Sequence, residues 1–259
     1  MLDAEQAMQQ VAHLLLQSQS AIALTGAGIS VPSGIPDFRS PGGLWSRYDI
    51  MEYATLDAFL SKPHRVWNLF RDLMDTVGNA HPNPAHEALA EAERLGIVKN
   101  VITQNIDGLH QRAGSIAVAE FHGSCGQLSC LRCRSRFPSS QFQEDLHKEV
   151  FRVPSCDCGF PLKPDIVLFG ESIPQQVLTS SLEAAEQADV ILVIGTSATV
   201  APASMLPALV RQRGGSVVEM NLEETELSWR VQHQILGDVA HTLPELVRCL
   251  KQLRGSSTA

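Results

Sequence analysis

Positive charge is scarce in this 259-residue chain: 20 lysines and arginines stand against 28 acidic residues, a formal net charge of −8. A chain this acidic matches a phosphate backbone poorly, so nucleic acid is not an expected partner. The shortage is sharpest at the start, where Arg39 is the first lysine or arginine and Asp3 and Glu5 come early. A secretory leader needs a basic opening, and a transit peptide is Arg-rich and acid-poor, so neither is expected. Six cysteines are too few for a disulfide scaffold of this length. One uncharged run, Val190 to Val210, has the length of a membrane span, but Gly195, Thr196, Ser197, Pro202 and Pro207 interrupt it. It reads as a buried strand, a polar loop and a helix start. The expectation is a soluble protein of the reducing cytoplasm with no membrane partner; oligomeric state is left open.

Apolar material is plentiful: hydrophobic residues make up 44% and charged residues 19%, which excludes a disordered chain. The length suits one large domain or two unequal ones. Strand-length apolar runs occur at Ala21–Leu24, Val101–Thr103, Ala117–Phe121, Ile166–Phe169, Val190–Ile194 and Ser216–Met220. Helical patterns lie between and around them, at Asp3–Gln17, Pro84–Leu95, Pro174–Gln187, Pro202–Gln212 and Leu243–Leu253. Pro84, Pro174 and Pro202 suit first-turn positions, where a missing N–H costs nothing. Alternating strands and helices predict an α/β fold with a doubly wound parallel sheet. Two stretches break the alternation: a helical one from Ser40 to Gly78, and a loop-like one from Gly123 to Pro164 that holds five of the six cysteines. Both read as insertions able to pack together as a smaller module.

The first strand runs into Thr25-Gly26-Ala27-Gly28-Ile29-Ser30. A strand ending in a glycine-rich turn that opens a helix brings backbone N–H groups and a helix N-terminus to an anion. The motif lacks the third glycine of the common dinucleotide fingerprint, and alone it reads equally as a tight turn. Its extension, Ser33-Gly34-Ile35-Pro36-Asp37-Phe38-Arg39, sets a rigid step, an acid, an aromatic and a base beside it.

The run Gly26–Arg39 resembles the signature of the sirtuins, NAD-dependent protein lysine deacylases. Thr103–His110, His122-Gly123, a four-cysteine cluster, Lys163–Glu171, Gly195-Thr196-Ser197 and Asn221 follow in the family's order. The resemblance spans roughly residues 10–250. It implies a Rossmann-like domain from residues 1–39, 79–122 and 165–259, and a small domain from a helical insertion (40–78) and a zinc ribbon (123–164). The active site would lie in the cleft between them. NAD, consumed as co-substrate, would be held by Gly26, Ala27, Gly28, Ser30, Ile35, Pro36, Asp37, Phe38 and Arg39. Gln104, Asn105, Ile106 and Asp107 would join them, with Asn105 orienting the nicotinamide ribose and a water, and Asp107 contacting the carboxamide. Gly195, Thr196, Ser197 and Asn221 would hold the adenosine ribose and phosphates, with Val239 over the adenine.

From the residues alone, Asn105-Ile106-Asp107 also reads as a helix cap. His122 is one of nine histidines, and a histidine at a strand end is more often structural. The sirtuin-like Phe-His-Gly singles it out as general base, while His110 reads as packing or surface. Cys130-x-x-Cys133 and Cys156-x-Cys158 are close pairs across a 22-residue loop, the pattern of a structural zinc site with four thiolate ligands and no open position. Position 155 departs from the commoner spacing, and Cys125 is the alternative to Cys156. Cys249 reads as a small core residue.

Val167, Leu168, Phe169, Gly170 and Glu171 read as a core strand, or by resemblance as the segment that pairs with an acyl-lysine peptide. The stretch Gly42–Phe70 resembles the sirtuins that remove succinyl and malonyl groups. Their Tyr-x-x-Arg pair is replaced by Phe70 and Leu73. With small Ala54, these predict a wide apolar acyl channel, unless Arg47 or Arg71 reaches in. The expected activity is NAD-dependent removal of acetyl and longer neutral acyl groups. Protein ADP-ribosyl transfer and a zinc-ribbon interaction protein with a vestigial cofactor fold are the alternatives.

Overall fold

The computed structural model describes residues 4–38 and 42–256. Its strands are β1 (Ala21–Thr25), β2 (Val98–Thr103), β3 (Val118–Glu120), β4 (Gly123–Cys130), β5 (Arg136–Pro138), β6 (Leu162–Ile166), β7 (Val190–Ile194), β8 (Ser216–Asn221) and β9 (His233–Leu236). Its helices are α1 (Ala4–Gln17), α2 (Ile50–Tyr53), α3 (Leu56–Ser61), α4 (Pro63–Asn79) and α5 (Pro84–Arg94), then α6 (Leu109–Arg112), α7 (Gln143–Leu146), α8 (Gln175–Gln187), α9 (Met205–Gln212) and α10 (Val239–Ser256).

Six strands form one parallel sheet in the order β3-β2-β1-β7-β8-β9. Chain order reverses between β1 and β7, and in such sheets ligands bind in the crevice outside that point. The period-two alternation of strand side chains divides the core into two layers. Ala21 and Ala23 face a cluster with α1, α5 and α10, while Ile22 and Leu24 face one with α8 and α9. The doubly wound expectation is met.

Three strands, ordered β5-β4-β6, make a small antiparallel sheet. It shares one apolar cluster with α3 and α4, in which Phe59, Val66, Trp67 and Phe70 pack against Leu128, Phe151 and Leu162. Trp67 is fully buried and donates its indole N–H to the Leu162 carbonyl at 2.8 Å. The two insertions therefore fold around a common core.

Three expectations are corrected. Ile166–Phe169 does not join the parallel sheet: its apolar residues Ile166 and Leu168 serve the small core, β6 ends at Ile166, and Phe169 makes an isolated bridge to Thr55. Pro202 does not open a helix; it follows a cis peptide bond, and α9 begins at Met205. Pro207 takes the first-turn place instead. Helix α10 begins at Val239 and not at Leu243, because the Asp238 carboxylate accepts the Ala240 N–H at 2.9 Å and caps it. Strands β4, β5 and β9 and the part of β6 before Ile166 were not anticipated, so the stretch read as loop-like holds a three-stranded sheet. Among the described residues, no helix is long and apolar enough to cross a membrane.

Replacing Trp67 by Phe removes the indole bond tying α4 to β6 and leaves the buried Leu162 carbonyl without that donor. We expect a loss of ~1–3 kcal/mol in unfolding free energy, read by denaturant titration. An unchanged midpoint would show that this bond does not hold the insertions together.

Candidate active site

The crevice begins as a backbone contact. The Gly26 and Gly28 N–H groups donate to the carbonyls of Ile194 (3.1 Å) and Gly195 (2.8 Å), joining the loops after β1 and β7. A Cβ on Gly28 would lie 2.8 Å from the Gly195 Cα, and Gly195 itself has φ +59°. Only glycine fits either position. Two three-residue 3₁₀ turns follow, Ala27–Ile29 and Val31–Ser33, not the α-helix expected after a phosphate loop. The Gly26 and Gly28 donors are spent on the loop contact, which leaves the Ala27 N–H for an anion, without a helix dipole behind it.

A cavity of about 1620 Å³ opens at this point. Beneath it lies a buried polar network. The Ser30 hydroxyl donates to Asp107 at 2.7 Å and accepts the Asn105 amide at 3.1 Å. The other Asn105 N–H goes to the Gly26 carbonyl at 3.0 Å. Both amide donors are spent, so the Asn105 oxygen is the atom left to the cavity. Asp107 also accepts the Leu109 N–H at 2.9 Å, and burial raises its pKa against that bond and the Ser30 one. His86 and His110 stack edge to face below, and burial lowers their pKa values to about 4 and about 3. His110 bonds Thr25 at 2.9 Å and is a packing residue, not a surface group.

His122 lines the cavity just past β3. Its Nδ1 lies 3.1 Å from the Gln104 carbonyl. A carbonyl only accepts, so Nδ1 carries the proton and Nε2 keeps its lone pair. Burial lowers the His122 pKa, and the Gln104 bond opposes part of that shift. The imidazole is neutral at pH 7 and basic at Nε2.

One arm of the cavity runs over the ends of β7 and β8, lined by Gly195, Thr196, Ser197, Asn221 and Val239. The loop from Leu222 to Glu226 lines it as well. The other arm is apolar. Ala54, Leu69, Phe70, Leu73, Ile106 and Leu168 line it, and Phe38, Trp45 and Phe169 form an aromatic row at its mouth. Arg47 pairs with Asp72 outside, and Arg71 lies over Phe151 and bonds the Lys148 carbonyl, so neither enters this arm.

The segment from Val167 to Glu171 lines the junction. Val167 N–H donates to the His122 carbonyl, and Phe169 exchanges backbone bonds with Ala54 and Leu56. The Glu171 carboxylate accepts the Leu168 N–H and pairs with buried Lys163. Leu168 and Phe169 thus already use their main-chain groups.

Sγ atoms of Cys130, Cys133, Cys156 and Cys158 all lie within 4.8 Å of one another. Cys125 is elsewhere, buried in the small core with its N–H on the Ile106 carbonyl.

Residues 26–202 match the family model described as "Sir2 family". The chain is 44% identical to the "NAD-dependent protein deacylase" of Thermococcus kodakarensis, covering 93% of this chain and 95% of that one. It belongs to the Sir2 family. Among solved structures, it is similar to a Sir2 homologue in complex with NAD (42% identity, TM-score 0.87, covering 95% of this chain and 94% of that one). It is also similar to Sir2Af2 bound to a myristoylated histone peptide (38% identity, TM-score 0.82, covering 97% and 99%).

In this Sir2 chain the cavity gathers most of the residues singled out from sequence. Gly26, Ala27, Gly28, Asp37, Phe38, Gln104, Asn105, Ile106 and His122 line it. Ser30 and Asp107 sit under its floor. Ile35 does not line it and packs instead on Ala80 and Leu109; Pro36 does not line it either. Arg39 lies outside the described residues. Val31, Pro32, Ile173, Leu178, Thr199 to Pro202 and Leu222 to Glu226 were not foreseen as site residues. All of them line the cavity, and position just after a parallel strand was the available signal for the last two groups.

The four thiols suit a closed tetrahedral zinc site, whose Zn–S bonds of ~2.3 Å fit a cluster of this span. We expect one zinc per chain by metal analysis. Cys156→Ser should lose it and lower the melting temperature, since metal binding and folding are coupled. Cys125→Ser should retain it; zinc loss in that variant alone would move the ligand to Cys125.

Proposed function

We propose that the chain removes acetyl and longer neutral acyl groups from protein lysine side chains, consuming NAD and releasing nicotinamide, O-acyl-ADP-ribose and free lysine. The observation that carries this reading is the position of His122. A neutral base stands where a polar arm, able to hold a dinucleotide, meets an apolar arm, able to hold an acyl chain. The relatives' names support the same reading, as do the homologues solved with NAD and with a myristoylated peptide.

NAD supplies a departing nicotinamide and an electrophilic ribose carbon. The chain's residues do the rest. The Ala27 N–H between the two spent glycine donors, with Thr196 and Ser197, would take the phosphates and adenosine ribose. The Asn105 oxygen would accept from the nicotinamide ribose or a water, and Asp107 would serve the carboxamide. Phe38 and Trp45 would shield the reacting carbon from water. His122 Nε2 takes a proton from a ribose hydroxyl. Val167 to Glu171 line the peptide, with the Val167 carbonyl and Gly170 as the main-chain groups open to it. Ala54, Phe70 and Leu73 surround the acyl chain. We assign residues 1–39, 79–122 and 165–259 to the cofactor domain, 40–78 and 123–164 to the small domain, and the protein to the reducing cytoplasm.

Incubation with NAD and an acetyl-lysine peptide tests this reading. Equal amounts of nicotinamide and O-acetyl-ADP-ribose are expected. Labelled protein without deacylation would establish ADP-ribosyl transfer instead.

Because His122 is neutral above its lowered pKa, kcat/KM should fall on the acid side only below the ordinary imidazole value of ~6.5. His122→Ala should lose ~10²-fold or more in turnover. An acid limb centred above pH 7, or a variant keeping a tenth of the wild-type rate, would contradict the assignment.

A succinyl carboxylate in the apolar arm would meet neither a hydroxyl nor a guanidinium, at a cost of several kcal/mol. Each buried CH₂ of a neutral chain contributes ~0.8 kcal/mol. Acetyl- and butyryl-lysine should therefore be cleaved faster than succinyl-lysine in a peptide panel. Faster succinyl cleavage would refute the channel, and Phe70→Tyr with Leu73→Arg should raise it.

A further inference from the structure

Strand β8 carries a fully buried carboxylate that none of the roles above uses. Glu219 has no solvent exposure. Four uncharged donors converge on it: the Asn221 amide (2.9 Å) and the Thr225 hydroxyl on Oε1, the Ser228 hydroxyl (2.6 Å) and the Gln234 amide (3.0 Å) on Oε2. Burying a carboxylate is costly unless such donors replace its water. Hydrophobic residues at 218 and 220 face the opposite layer of the core, so this group is an exception built into one side of one strand.

The geometry at Asn221 shows what the carboxylate does. Glu219 and Asn221 are two apart on a strand and share a face. The Asn221 amide gives one N–H to Glu219 and the other to the Thr196 carbonyl at 3.1 Å. An amide has two N–H donors, and both are used. The oxygen remains for the cavity, which Asn221 lines. The same carboxylate holds Thr225 and Ser228, and so anchors the loop that carries Glu223 and Glu224 along this arm.

We infer that Glu219 is a positioning residue that locks Asn221 with its oxygen toward the cavity. This end becomes an acceptor for ribose hydroxyls and turns away a ribose carrying a further phosphate. The inference rests on the proposed NAD reading. A hydroxyl donates to that oxygen. A phosphate on the same ribose brings only acceptors and negative charge to an arm already lined by Glu223, Glu224 and Glu226.

ADP-ribose and its 2′-phosphate, titrated calorimetrically into the zinc-loaded full-length protein, test this. The wild type should bind ADP-ribose about tenfold or more tightly than the phosphorylated form. E219L removes the acceptor that holds Asn221. It should weaken ADP-ribose about tenfold and narrow that gap. E219Q keeps an oxygen for Asn221 and should stay within about threefold of wild type. In turnover assays E219L should raise the KM for NAD and leave the KM for peptide unchanged, a split that general destabilisation would not produce. Should E219L fail to fold, T225V/S228A strips two of the four donors and should weaken ADP-ribose about threefold. The inference is overturned if E219L, or in its place T225V/S228A, binds like wild type. It is equally overturned if E219Q is as impaired as E219L, or if the 2′-phosphate binds as well as ADP-ribose. A wild type that binds no ADP-ribose would overturn the NAD reading itself and this inference with it.

Discussion

Three backbone carbonyls at the ends of parallel strands set the chemistry of the cavity. Gly26 C=O, after β1, takes an N–H of Asn105. Gln104 C=O, after β2, faces Nδ1 of His122. Thr196 C=O, after β7, takes an N–H of Asn221. Each absorbs a donor that would otherwise point into the cavity. What remains facing inward is two amide oxygens and one imidazole lone pair, a surface matched to ribose hydroxyls and to a proton that must leave one of them.

The fold supplies these carbonyls in register because the loops after β1 and β7 touch through their backbones. Gly26, Gly28 and Gly195 leave no space for a Cβ between them. Pairing of β1 with both β2 and β7 then brings the three strand ends together. Side-chain acceptors complete the arrangement, with Ser30 on Asn105 and Glu219 on Asn221. An amide held at both N–H groups cannot rotate to present the wrong end. The apolar arm is set independently, by the shared core of the two insertions, and meets the polar arm at the segment that bonds the His122 carbonyl.

The parallel sheet was readable because its buried strands are continuous apolar runs, and Val190–Ile194 is buried at every position. The cysteine spacing and the Gly26–Gly28 turn were readable because few other residues can serve there. Other parts were hidden for physical reasons. Ile166 and Leu168 look like main-sheet residues because periodicity does not say which core a side chain enters. Strand β4, GSCGQLSC, is glycine- and serine-rich, and β9 is a short edge strand of mixed polarity. Ile35 sat inside a binding motif yet packs on Leu109. Glu219 gave no signal, since a charged residue in a strand reads as solvent-facing until its four donors are seen.

The account stands on the direction in which the cavity's polar groups point, and His122 reports that direction most directly. Nitrogen-15 NMR of histidine-labelled protein at pH 7.5 distinguishes its tautomers. The account predicts a neutral ring with the proton on Nδ1 and a bare Nε2. A proton on Nε2, or a charged imidazolium at that pH, would contradict it.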